Sequence, residues 1–128
     1  MMLLQTTEAG TARLHRGDPL ECDSACRFVE ALVGGALGVS IAELRRPSRG
    51  RAPVAFARQT AMYLAHVHLG LSLERVGQHF GRDRTTVAHA CRRVEDSRDK
   101  PRFEVLLAYF EAVLQSWRRS LAEGGRTP

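Results

Sequence analysis

Lysine is almost absent from this chain of 128 residues: Lys100 stands alone beside 18 arginines. Aromatic residues make up only 6%, and cysteine occurs just three times, as Cys22, Cys26 and Cys91. An odd number of thiols with no C-x-x-C pair argues against a disulfide framework and favours a reducing compartment. No run approaches the ~18 apolar residues that cross a bilayer. The start, Met1-Met2-Leu3-Leu4-Gln5, lacks the charged segment and long apolar stretch of a secretory leader. Together these absences predict a cytoplasmic protein with no membrane partner. No segment fits G-x-x-x-x-G-K-[ST], so no phosphate loop, bound nucleotide or other cofactor is expected. No Ser-His-Asp set or carboxylate pair stands out, and the expectation is a non-enzyme.

What is present is basic and helical. Apolar content of 44% suits a globular chain, and this length buries roughly two-thirds of its unfolded surface around one core. The formal charge is +5. Between Arg45 and Arg98 eleven arginines face only Glu74, Asp83, Glu95 and Asp96, a net +7 that leaves −2 for the rest. Charge concentrated in this way points to a polyanionic partner. The planar arginine fork suits phosphate and guanine, where lysine is a point charge.

Residues 1–22 show no sustained period and predict a loose N-terminal arm; 23–119 form one domain, and 120–128 a tail. From about Ser24, Phe28, Val29, Leu32 and Val33 fall at helical spacing. Gly34 and Gly35 predict a weakening or end of that helix. Ser40-Ile41-Ala42-Glu43 is a capping box opening a short helix to about Arg45. Arg45 to Pro53 is a loop by composition. Ala57, Ala61, Leu64, Ala65 and His68 then step along a helix that Gly70 ends. Ser72 caps the next, with Leu73, Val76 and Phe80 on one face, and Gly81 breaks it. Another helix spans about Arg84 to Glu95. Asp99-Lys100-Pro101 opens the last, with Phe103, Leu106, Leu107, Phe110, Leu114 and Trp117 on one face. No strand-like alternation of useful length occurs, so the fold class is all-α.

The helices flanking Gly81 have the form of a helix-turn-helix. Gly81 supplies positive φ without penalty, and Gly77 leaves room for a close crossing. Val76, Phe80, Val87, Ala90 and Val94 predict the apolar seam beneath both helices. Asp83, Arg84, Thr85, Ala88, His89 and Arg92 are left facing outward. Short and basic groups in that place are what a reader of the major groove needs.

Three segments in order are Arg58-Gln59-Thr60-Ala61-Met62-Tyr63-Leu64, Leu71-Ser72-Leu73-Glu74-Arg75-Val76-Gly77, and Gly81-Arg82-Asp83-Arg84-Thr85-Thr86-Val87-Ala88-His89-Ala90-Cys91-Arg92-Arg93-Val94. From about Phe28 to Leu114 the chain resembles the C-terminal DNA-binding domain of the bacterial replication initiator DnaA. The resemblance implies a compact six-helix fold related to Trp repressor, and recognition of short DnaA boxes in double-stranded DNA. It implies that Arg49 and Arg51 approach the minor groove and backbone, and that Arg58 and Gln59 hold phosphates at the start of their helix. Asp83, Arg84, Thr85 and Thr86 would meet base edges and nearby backbone, with Arg82, Ala88, His89 and Arg92 completing the surface.

Three departures from the family pattern stand out. Phe80 is followed by Gly81 alone where two glycines are usual, the usual histidine between Asp and Thr is Arg84, and the usual proline before Arg-Gln is Ala57. Without an ATPase, the expected role is a nucleoid-associated regulator, acting in transcription or as a competitor of the initiator at box-like sites. The rival reading is an interaction module derived from a DNA-binding fold, using the stripe that ends at Trp117. A homodimer through the C-terminal helix is left open. His66, His68, His79 and His89 lack partners at ligand spacing, and no metal site is expected.

Overall fold

A computed structural model describes residues 19–47 and 50–124, with only the backbone of Pro19 and Leu20. Among the described residues six α-helices follow one another: α1 (Pro19–Leu37), α2 (Ile41–Leu44), α3 (Ala52–Tyr63), α4 (Leu73–Phe80), α5 (Arg84–Asp96) and α6 (Pro101–Gly124). There is no strand among the described residues. α3 is the central element, packing against α1, α2, α4 and α5, while α6 closes the bundle against α1.

Several boundaries differ from those read in the sequence. α1 begins at Pro19, inside the stretch expected to be an arm, and runs through Gly34 and Gly35 to Leu37. Gly34 is buried, and a Cβ there would lie 2.5 Å from the Val39 carbonyl oxygen. It therefore serves the close return of the chain and does not end the helix. α3 starts at Ala52, with Pro53 in its first turn where the missing N–H costs nothing. Gln59 and Arg58 thus lie in its second half, not at its start. α6 reaches Gly124, so the first part of the expected tail is helical.

The predicted caps are present. Ser40 Oγ accepts from the Glu43 amide while Glu43 accepts from the Ser40 amide, and Ser72 Oγ accepts from Arg75. α3 passes into a π-helical turn, Leu64–His68, closed by Leu69 N–H donating to Leu64 O at 3.0 Å. The wider turn brings Leu64, Ala65 and Leu69 all into the core. On α6, Leu107, Phe110 and Leu114 are fully buried, and Trp117 stacks on Phe28 at 4.3 Å. That apolar stripe packs on its own domain, leaving Val105 and Tyr109 as the large exposed apolar groups of its first three turns.

No helix of the described residues is long and apolar enough to cross a membrane.

Candidate nucleic-acid interface

The predicted seam is the buried side of α4 and α5: Val76, Phe80, Val87, Ala90 and Val94 are each at most 2% exposed. Two glycines set the crossing. Gly81 sits at φ +67°, a left-handed position that ends α4. A Cβ on Gly77 would collide with the carbonyl oxygen of Arg82, whose amide donates back to Gly77 O at 2.8 Å. The turn is thus pressed directly onto α4.

Asp83 caps α5. Its carboxylate accepts from the Thr86 amide at 2.8 Å, and that bond holds its pKa below the usual aspartate value. Its carboxylate therefore serves the helix it begins. Arg84, first residue of α5, projects from the positive end of the helix dipole and is exposed, as are Thr85, Thr86, His89 and Arg92; Ala88 is half-buried between them. Cys91 lies partly within the fold, its thiol pushed up to about 11 by burial, which leaves it a small apolar group.

The basic loop stands beside the start of α5. Arg51 caps α3 from an extended backbone and carries an exposed side chain, ion-paired to Glu43 at 3.2 Å. Arg49 lies outside the described residues. Between α3 and α5 is a cleft of about 230 Å³, lined by Gln59 of α3, Thr86 and His89 of α5, Arg82 of the turn and Pro47 of the loop among others. One end of the Gln59 amide, Oε1, is buried there with no hydrogen-bond partner among the described residues.

Arg58 is a correction. It is 3% exposed, its Nε donates to Leu44 O at 2.6 Å and its Nη2 to Glu43 O at 2.9 Å. Burial and the neighbouring Arg82 charge push its pKa down. Its side chain holds the end of α2 from beneath, so a guanidinium reaching out to phosphate is not what the fold displays. Arg82 is half-exposed, with Nη1 donating to Phe80 O at 2.8 Å and Nη2 to Arg46 O at 3.0 Å.

Sequence reading missed the support behind this face. His79, whose side chain is 6% exposed, lies between Asp23 (Nδ1, 2.8 Å) and the fully buried Glu30 (Nε2, 3.0 Å), and Arg45 also donates to Glu30 at 2.7 Å. Only the imidazolium can donate to both carboxylates. Desolvation opposes its charge, yet the hydrogen bonds it donates to Glu30 and Asp23 win and its pKa is raised. Glu30 shows the converse: burial works against ionisation, but His79 and Arg45 hold its pKa down.

The family described as "Bacterial dnaA protein helix-turn-helix" matches residues 27–94, a little over half of the chain. The chain belongs to this family. Over 89 residues it is 39% identical to the chromosomal replication initiator protein DnaA of Microcystis aeruginosa, covering 67% of this chain and 20% of that protein. The DnaA of Thermomicrobium roseum is 51% identical over 59 residues, 45% of this chain and 12% of its own length. That of Mycobacteroides abscessus is 44% identical over 66 residues, 52% of this chain and 13% of its own. The chain therefore spans a fifth or less of these DnaA relatives. The matched stretch contains α2 to α4 whole, the loop, and α5 as far as Val94, so the candidate face coincides with the DnaA helix-turn-helix.

Proposed function

We propose that this chain binds double-stranded DNA sequence-specifically, with α5 in the major groove and the basic loop on the adjoining backbone and minor groove. The observation that carries the reading is the two-sidedness of α5. Its inner side is the seam under Gly77 and Gly81, and its outer side presents Arg84, Thr85, Ala88, His89 and Arg92 from a fixed N-terminus. Membership of the DnaA family supports the same partner.

Arg84 and Thr85 read base edges, Arg92 and Arg51 position the backbone, and Gln59 and Thr86 flank the cleft between α3 and α5. Asp83 acts by setting the helix start. Arginine at Arg84 can grip the O6 and N7 of guanine with two parallel bonds. The preferred site thus differs from a DnaA box at the base that Arg84 meets. The biological role is regulation, of transcription or of replication initiation at box-like sites, by a DNA reader that carries no phosphate loop and performs no reaction.

Selection from a random duplex pool, run for the wild type and for Arg84→His, tests this. Enrichment of a defined site that changes at one position on substitution is expected. No enriched site for the wild type would refute specific binding, and identical sites for both proteins would remove Arg84 as a reader.

A further inference from the structure

The basic loop and the reading helix come from distant parts of the sequence, yet a duplex groove must meet both at a fixed spacing. α2 ahead of the loop is a single turn, Ile41–Leu44, too short to hold itself. Its last carbonyls lack partners within the helix. One arginine from another element takes the last two of them, and a second takes a carbonyl just beyond. Arg58 on α3 engages Glu43 O and Leu44 O, and Arg82 engages Arg46 O near the start of the loop. Cations at a helix C-terminus also gain from its dipole.

Arg82 has a fixed root. Its backbone amide is bonded to Gly77 O, its carbonyl lies against Gly77, and its own Nη1 is held by Phe80 O. From that anchored turn the other arm of the fork spans 36 residues of sequence to the loop. We infer that Arg82 is a positioning residue that latches the basic loop to the helix-turn-helix, so that loop and reading helix engage DNA as one unit. The inference rests on the proposed DNA-binding reading for its consequence, but the latch itself exists in the free protein. Arginine is required because one flat fork must reach two carbonyls at once; lysine keeps the charge and loses that geometry.

The test uses Arg82→Lys, with Arg82→Ala as its neutral counterpart. In the free protein, the Leu44, Arg45 and Arg46 amides should exchange with solvent about ten-fold faster in Arg82→Lys, while the Val87 and Ala90 amides stay as in the wild type. On duplex DNA, Arg51→Ala and Arg84→Ala should couple in the wild type and become additive in the Arg82→Lys background. If Arg82 instead grips a phosphate, Arg82→Lys will retain affinity, Arg82→Ala will lower the salt slope by about one, and loop exchange will not change; that result overturns the latch. Acceleration of loop and α5 amides together also overturns it, because Arg82 would then hold the whole fold. Absence of DNA binding by the wild type would sink the functional reading and leave the exchange result to judge the latch alone.

Discussion

Two sets of arginines face opposite ways in this molecule. Arg84 and Arg92 stand exposed on the outer side of α5. Arg58, Arg82 and Arg98 carry the same charge but turn their forks onto the fold. Arg98 donates to Glu104 at 3.0 Å, to the Tyr63 hydroxyl at 2.8 Å and to Glu111 at 3.1 Å, which ties α6 to α3 through the short 3₁₀ link Ser97–Asp99. The local charge of +7 therefore overstates what is offered to a partner: part of it is architecture. Arg45 and Arg51 belong between the two sets, each being ion-paired and yet partly in solvent.

The sharpest way to break this contrast is on the architectural side. We predict that Glu30→Ala, which strips His79 and Arg45 of their buried acceptor, costs about 3–5 kcal/mol in denaturant unfolding. A loss below 1 kcal/mol would mean that the cluster is incidental. On the reading side, Arg84→His should leave stability within about 0.5 kcal/mol while losing about 1–3 kcal/mol of preference for guanine at one position. If Arg84→His unfolds the protein, the division between the two sets fails.

Salt dependence sharpens the count of arginines that reach DNA. Neutralising about five phosphates gives a slope of log K against log salt near −4.5, and Arg92→Ala should make it shallower by about one. A wild-type slope shallower than about −2 would show that most of the arginines are structural. The smallest expected effect is on pH. Because the folded His79 has a raised pKa, its contribution is complete below the ordinary histidine range and lost as pH rises through the folded value. Unfolding free energy should thus decline across that rise, and His79→Gln should flatten the profile. An unchanged profile would remove His79 from the linkage.

Much of the fold was legible because its signals are local. Ser40, Ser72, Gly81 and Pro101 are punctuation whose effect is settled within a few residues, and each acts where it was read. The seam of Val76, Phe80, Val87, Ala90 and Val94 follows from helical period alone. Gly34 misled because its lack of a side chain serves a carbonyl five residues on, an interaction that spacing does not reveal. Arg58 misled for a related reason: nothing in its neighbours distinguishes a fork aimed at phosphate from one aimed at Leu44 O. The His79 cluster joins positions 49 and 56 residues apart. His79 gave no sign of it, since its carboxylates lie on α1. The family resemblance pointed to α5 and the loop, but it could not say which arginines were already engaged within the fold.

The capping role of Asp83 has a consequence for how such a protein diversifies. Helix start, turn and crossing are fixed by Asp83, Gly81 and Gly77, none of which has to touch a base. Arg84, Thr85, His89 and Arg92 are exposed around that frame. On the proposed reading, the vocabulary of recognition is thereby separated from its grammar. A library randomised at those four positions should keep one melting temperature while scattering over many preferred sequences, and a lineage could move between operators by single substitutions without passing through an unfolded ancestor.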